Sequence, residues 1–319
     1  GDWSSDVCSS DLRPASPAPL LVMAAPAAAF FVAFFVLPMV RLFLTGGSGP
    51  AGWAAYATIV TDPRHFASLV ATFSVAAATT VATLVISTIA GLFLVRHRFP
   101  GRGPLVAMLT LPLAFPGVVV GFMVIMLAGR LGLIGGITKA LTGEKVVFAY
   151  SLAGLFMGYV YFSIPRVILT VMAAAEKLDP KLEEAARSLG ASTFAVTRDV
   201  ILPGLVPAFV SAGAICFATA VGAFGTAFTL AARIDVLPMV IYTEFTLSAN
   251  IATAAALSFV LGLATWAVLA LARQAAGSTV AAAALHDAFD PPLPRPARLH
   301  AAGRRLPGGA DRKSTRLNS

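Results

Sequence analysis

The chain contains the uncharged run ASLVATFSVAAATTVATLVISTIAGLFLV at residues 67–95. An α-helix rises about 1.5 Å per residue, so about 20 apolar residues cross the roughly 30 Å hydrocarbon core of a bilayer. A helix also satisfies its own backbone hydrogen bonds, which a chain surrounded by lipid must do. This run therefore predicts a transmembrane helix.

Five further apolar runs are long enough to cross a membrane. Together with the first they predict an all-α, polytopic membrane protein with six transmembrane helices. Pro112 and Pro116 lie in the third run and predict a kink there, while Gly117 and Gly121 form a G-x-x-x-G pair that favours close helix packing. The additional runs are residues 18–40, 103–129, 146–175, 204–232 and 251–272.

The composition is that of a protein solvated by lipid. Of 319 residues, 58% are hydrophobic and 12% charged, and mean hydropathy is +0.84. Soluble domains carry about 25% charged residues, so this chain has too few to cover a globule in water. The net charge of +8 could indicate a nucleic-acid-binding protein. However, the basic residues lie between apolar runs and in the tail, a distribution that membrane topology explains better.

The two cysteines, Cys8 and Cys216, form neither a disulfide framework nor a metal site.

The distribution of basic residues predicts the orientation. Eight lie on the side that also holds both termini and six on the other, a bias that favours cytoplasmic termini. The eight are Arg96, Arg98, Arg102, Lys177, Lys181, Arg187, Arg198 and Arg273, and the six are Arg41, Arg64, Arg130, Lys139, Lys145 and Arg233.

The two ends resemble translated sequencing-adapter reads, so residues 1–12 and 311–319 are predicted to be artefacts and are left out of fold reasoning. Residues 13–275 are predicted to form the transmembrane domain. Residues 276–310 are rich in Ala, Pro and Arg without a sustained apolar period, and predict a disordered cytoplasmic tail.

The stretch EKLDPKLEEAARSLGASTFAVTRDVILP, residues 176–203, is the longest charged connection between two runs. Asp179 followed by Pro180 predicts a capped helix start, and Gly190 predicts a left-handed helix end. Ser192 can cap a second short helix, which Pro203 would stop. An apolar stripe on the first helix suggests docking in a groove of the membrane bundle or of a partner protein. It consists of Leu182, Ala185, Ala186 and Leu189.

This stretch also resembles the EAA motif of type I ABC importer permeases, the inner-membrane components of binding-protein-dependent transport systems. The resemblance covers residues 69–272 and departs from the family pattern at Val200, where the family has Ile. The residues that match the motif are Glu184, Ala185, Ala186, Gly190, Leu202 and Pro203.

The resemblance implies a non-catalytic transport subunit of a bacterial inner membrane. Its coupling loop would dock on a separate cytoplasmic ATPase, which would bind the ATP. A second permease subunit, identical or different, would complete the pathway, and an extracytoplasmic binding protein would deliver the solute. The chain has no G-x-x-x-x-G-K-[ST] segment, so it carries no P-loop of its own.

The sequence leaves the solute open. Segments 163–186 and 233–258 resemble the spermidine/putrescine-type branch, which implies a polyamine, with sulfate, phosphonate and ferric-iron permeases as close relatives. Arg166 is the one charge inside the fourth run. It could snorkel to the interface or line the pathway, and in the second case an anion is favoured.

The alternative from another class is an ion-coupled secondary transporter. Such proteins use acidic side chains inside the membrane, often within inverted repeats. The six runs contain no Asp or Glu, which favours the importer reading.

Overall fold

The computed structural model describes residues 17–230 and 235–289, with side chains over 24–230 and 235–274. All regular structure in these residues is helical, and six segments are long and apolar enough to cross a membrane. The predicted all-α, polytopic fold is therefore confirmed. The chain divides into two compact units, Gly1–Thr279 and Val280–Ser319, and apart from the end of the last helix the following description concerns the first.

The described residues form fourteen α-helices. In chain order they are α1 Pro17–Phe31, α2 Leu37–Gly47, α3 Thr58–Thr61, α4 Pro63–Arg96, α5 Arg102–Thr110, α6 Gly117–Ala128, α7 Leu133–Thr142, α8 Leu152–Ala175, α9 Pro180–Ser188, α10 Thr193–Val196, α11 Leu202–Val221, α12 Phe224–Leu230, α13 Leu237–Thr246 and α14 Ile251–Phe289.

Helix α4 is central to the fold, with its main contacts to α8 and α11. Its buried face carries small and hydroxyl side chains at spacings of three and four residues, so neighbouring helices can approach closely. Thr72 also accepts a 2.8 Å hydrogen bond from the backbone N–H of Leu237, which anchors α13. The buried small side chains are Ser68, Thr72, Ala76, Thr79, Thr83, Ser87 and Gly91.

The third apolar run is not one helix. Helix α5 passes into a 3₁₀ turn, Leu111–Ala114, and α6 begins only at Gly117. Phe115 is extended with ψ 131°, as expected for a residue that precedes proline. The predicted kink is therefore a complete break, and the span-capable segment is Gly117–Thr142 instead of 103–129.

The fifth run is also divided. Helix α11 ends at Val221, and α12 follows after a two-residue break and packs closely against α6. The hydroxyl of Thr226 donates to the carbonyl of Gly117 at 2.9 Å. A Cβ added at Gly121 would overlap the side chain of Thr229, so the predicted close packing at the G-x-x-x-G pair is confirmed.

The last span differs from its predicted extent. Helix α14 continues through residues 276–289, which were predicted to be disordered. Residues 290–310 of the predicted tail lie outside the described residues, as do the two predicted artefact segments.

Candidate functional site: the loop between the fourth and fifth spans

The first helix of the loop 176–203, called the coupling loop below, begins as predicted. The carboxylate of Asp179 accepts the backbone N–H of Lys181 at 3.0 Å, and Pro180 occupies the first helical position. Glu183 lies in the first turn, where the partial positive charge of the helix N-terminus favours an acid. Helix α9 is therefore specified locally by its own sequence.

The turn after α9 also agrees with the prediction. Gly190 has φ +85°, a left-handed conformation that a residue with a Cβ adopts at a cost. The N–H of Gly190 bonds to the carbonyl of Arg187 at 2.9 Å, and the N–H of Ala191 to that of Ala186 at 3.1 Å. These bonds satisfy carbonyls at the helix end and redirect the chain.

The second half of the loop differs from the prediction. Ser192 does cap α10, because its hydroxyl accepts the N–H of Ala195 at 3.3 Å. However, α10 continues through a π-helical turn, Thr197–Ile201, directly into α11. Pro203 therefore does not stop a helix. It lies in the first turn of α11, directly after the π-helical turn, inside a helical segment that runs from Thr193 to Val221.

The inner face of the coupling loop packs on the transmembrane helices. One apolar cluster joins the loop to buried side chains of α8 and α11, so the loop is part of the core of the bundle and not a tether. The loop residues in this cluster are Leu178, Ala186, Ala191, Val196 and Ile201, and the span residues include Val167, Val171, Leu205, Ala212 and Cys216.

The outer face of the loop exposes large apolar side chains. Leu182 is 57% exposed, Leu189 88% and Phe194 73%, and the neighbouring Glu184 and Ala185 are exposed too. The predicted stripe is therefore divided, because Ala186 turns inward while its other members face outward. Such a patch marks an interaction surface when it lies outside the lipid. The sequence interpretation missed Phe194, whose only signal is an aromatic residue in a charged loop.

Two ion pairs connect the coupling loop to the end of α4 and the start of α5. Arg96 Nη2 lies 2.8 Å from Glu183 Oε1, and Arg102 Nη2 lies 3.5 Å from Glu176 Oε1. Arg102 Nε also donates to the carbonyl of Leu94 at 2.7 Å. The sequence interpretation assigned these arginines to topology only and did not predict their partners.

Arg166 is the one charged residue of α8. Its side chain is partly exposed, and its guanidinium carbon lies 5.9 Å from the centroid of the Phe162 ring. Among the residues with described side chains, no acid lies within ion-pair distance of it.

The structure also contains an apolar cavity of about 630 Å³ between α11, α12, α13 and α14. The side chains with polar groups in its lining are Tyr242, Ser258, Thr265 and Trp266, and Arg166 does not line it. The cavity and the lone arginine are therefore separate features. Within the described residues, no group of three or more His, Cys, Asp or Glu side chains is placed to hold a metal ion.

Residues 83–278 match the family of binding-protein-dependent transport system inner membrane components. The chain belongs to this family. Six apolar helices and an EAA-type loop between the fourth and fifth spans agree with this assignment. Members of this family are inner membrane components of binding-protein-dependent transport systems, and the six apolar helices of this chain fit a multi-pass membrane protein.

The chain is similar to several permeases from enterobacteria. It is 34% identical over 182 residues to the sulfate transport system permease protein CysT of Salmonella typhimurium, and the match covers 57% of this chain and 65% of that one. It is 32% identical to the molybdenum transport system permease protein ModB of Escherichia coli, covering 58% and 81%. It is 27% identical to the putative 2-aminoethylphosphonate permease PhnU of Salmonella typhi, covering 82% and 92%. The match to the sulfate permease thus spans less than two thirds of that protein.

Among solved structures, a bacterial ABC transporter that imports the acidic polysaccharide alginate shares the fold. The TM-score is 0.69 at 16% identity, covering 82% of this chain and 96% of the other. The predicted spermidine/putrescine-like specificity is not supported, because the relatives named here handle sulfate, molybdenum or a phosphonate.

Proposed function

We propose that this permease forms the solute pathway of an ATP-driven importer and receives mechanical work through the coupling loop. One observation carries the proposal: the inner face of the loop belongs to the transmembrane core, while its outer face exposes Leu189, Phe194 and Glu184. A loop that is packed firmly on the spans and exposes an apolar outer face is suited to bind a partner and transmit its movement. The partner would be a separate cytoplasmic ATPase, which supplies the ATP site.

The six motif residues divide into three roles in this proposal. Glu184 and Ala185 form the contact surface because both are exposed. Ala186 and Gly190 set the shape of the loop, the first by packing inward and the second by its left-handed turn. Leu202 and Pro203 begin α11 and so pass movement of the loop into the fifth span.

Further partners follow from the same role. A second permease subunit would complete the pathway, and an extracytoplasmic binding protein would deliver the solute. A bacterial alginate ABC transporter of the same fold is known in complex with a periplasmic protein that carries an alginate pentasaccharide, which supports a binding-protein partner here. In this arrangement the coupling loop and both termini face the cytoplasm.

The solute class best supported is a small anion, which replaces the polyamine expectation. Arg166 is the lone charge of α8 and has no acidic neighbour among the residues with described side chains. A cation inside a span is costly to bury, and such residues often mark solute pathways. A cation that lines the pathway attracts anions and repels polyamines. The relatives named above point to the same class. Sulfate and 2-aminoethylphosphonate are anions, and molybdenum in neutral water is present as the oxyanion molybdate.

The solute is tested in proteoliposomes that contain the permease, its ATPase and its binding protein. Labelled sulfate, molybdate, 2-aminoethylphosphonate and spermidine are offered in turn, with and without ATP. We expect ATP-dependent uptake of one of the three anions and none of spermidine. Uptake of spermidine alone would contradict the anion assignment while leaving the permease role intact.

Coupling is tested in the same system with Glu184→Arg. This substitution reverses the charge on the exposed face, so we expect ATP-dependent uptake to fall to background while membrane insertion is unchanged. The matched control is Glu144→Arg, which reverses an exposed charge in the segment after α7. Normal uptake in Glu184→Arg would refute the coupling role.

A further inference from the structure

Arg96 and Glu183 form an ion pair across 87 residues of sequence. Arg96 is the last residue of α4, and Glu183 lies on α9 of the coupling loop. The two charged atoms are 2.8 Å apart, and their side chains are only 28% and 29% exposed. This pair is shielded more than the Arg64–Asp235 pair at the other end of α4, where the separation is 3.9 Å and the exposures are 57% and 70%.

A second arginine reinforces the same junction. Arg102 begins α5, and its Nε donates to the carbonyl of Leu94, one of the last four carbonyls of α4 that lack a helical partner. The same guanidinium reaches Glu176, the residue that caps α8, at 3.5 Å. The two arginines therefore connect the ends of α4, α5 and α8 with the start of the coupling loop.

Adjacent glutamates of the coupling loop have different surroundings. Successive residues of an α-helix are about 100° apart around its axis, so Glu183 and Glu184 point in different directions. Glu183 turns toward Arg96 and is partly buried, whereas Glu184 is exposed. A rotation of α9 that broke the Arg96–Glu183 pair would therefore also change the direction of Glu184.

We propose that Arg96 and Arg102 are positioning residues that lock the orientation of α9. This ion-pair clamp holds Glu183 inward so that Glu184 and Leu189 face outward, and Arg102 ties Glu176 at the base of the loop to the end of α4. It rests on the proposed function in one respect only, namely that the outward face meets the ATPase. The clamp also connects the loop to α4, the helix with the most extensive contacts to α8 and α11.

The clamp adds to the apolar contacts of the loop. Those contacts are made by Leu178, Ala186 and the segment after Gly190, so they hold mainly the base and the second half of the loop. Helix α9 itself has no fully buried residue. Ala186 is the residue of α9 that packs in this cluster, so its packing and the ion pair of Glu183 in the first turn together set the orientation of α9 about its axis.

The clamp is tested by the distance between spin labels placed at Arg98→Cys and Ser188→Cys. The full-length permease is reconstituted in lipid, with Cys8 and Cys216 replaced by Ser. Arg96→Glu places two acids together, so we expect the distance distribution to broaden. The swap Arg96→Glu with Glu183→Arg restores opposite charges and should return a narrow distribution. The matched control Arg64→Glu breaks the pair at the other end of α4 and should change nothing.

Transport gives the second readout. A partly exposed ion pair changes a conformational equilibrium by roughly twofold to fivefold. Arg96→Gln should therefore lower the amount of solute taken up per ATP hydrolysed by about that factor. Arg96→Lys keeps the charge and should retain most of the wild-type ratio. Arg96→Gln introduces no repulsion, so it remains informative if Arg96→Glu inserts poorly.

The outcomes separate the clamp from the proposed function. A narrow distribution in Arg96→Glu, or a swap that fails to narrow a broadened one, would overturn the clamp. The spin-label measurement needs neither ATPase nor solute, so it stands even if Glu184→Arg retains uptake. A broadened distribution that the swap reverses would support the clamp whatever the solute is.

Discussion

The hydroxyl oxygen of Thr72 lies 2.8 Å from the backbone nitrogen of Leu237 and accepts its hydrogen bond. The two residues are 4% and 0% exposed, and 165 positions separate them in sequence. Leu237 is the first residue of α13, so its N–H has no partner within the helix. Thr72 thus caps α13 from a different helix and holds it against α4.

Thr72→Val is expected to destabilise the protein because it leaves the buried N–H of Leu237 without an acceptor. The expected cost is about 1–3 kcal/mol in the free energy of unfolding. The control is Thr80→Val, since the hydroxyl of Thr80 bonds only to the carbonyl of Ala76, on its own helix. Thermal unfolding in detergent gives the melting temperature of each variant. Equal decreases in Thr72→Val and Thr80→Val would contradict the capping role of Thr72.

Gly121→Ala is expected to separate α6 from α12. An added Cβ would overlap the Thr229 side chain and lie 3.3 Å from the carbonyl of Thr226, so the expected cost is about 1–3 kcal/mol. Adding Thr229→Ala should recover part of the lost melting temperature. Gly136→Ala is the matched control, because no atom lies within 4 Å of its added Cβ. A neutral Gly121→Ala would show that the helices do not pack as described.

Gly190→Ala tests the turn that shapes the coupling loop. No atom lies within 4 Å of an added Cβ, so the whole penalty comes from φ +85° and should be about 1–2 kcal/mol. Gly103→Ala is the control, since it is equally open but lies in α5 with ordinary φ. The melting temperature should fall in Gly190→Ala and should stay the same or rise in Gly103→Ala. The opposite order would contradict the left-handed turn.

Acidification is expected to weaken the start of α4. The backbone N–H of Arg64 bonds to the Asp62 carboxylate at 2.8 Å and holds the pKa of Asp62 below its ordinary value of 3.8. The charged cap therefore contributes stability in full above pH 3.8 and loses it as the pH falls through the lower folded pKa. Asn caps helices without titrating. The melting-temperature difference between wild type and Asp62→Asn should thus change with pH only in this acidic range, and a constant difference would contradict the cap.

The sequence predicts well those features that depend on local chemistry. Asp179, Gly190 and Ser192 act through backbone groups within three residues, and each lies where its residue type requires. The apolar runs are equally local, since length and charge alone determine whether a segment can cross lipid. For this reason the number of spans and the helix–turn–helix of the coupling loop were both predictable.

Features that depend on distant partners were not predictable. Pro203 can end one helix or begin the next, and only packing of Ile201 and Leu205 in the core decides that the chain continues into α11. Likewise, neither Arg96 nor Glu183 carries a signal of a partner 87 residues away. The break at Phe115 and Pro116 was predicted only as a kink, because a proline pair allows either a kink or a full interruption.

Photo-cross-linking from Leu189 tests the central claim most directly. A photoreactive amino acid replaces this 88% exposed residue of the coupling loop in membranes that contain the whole transport system. The matched control carries the same group at Leu131, which is 96% exposed between α6 and α7. We predict that position 189 captures a nucleotide-hydrolysing subunit and that position 131 does not. Capture of an extracytoplasmic binding protein from position 189, or of no protein at all, would contradict the account.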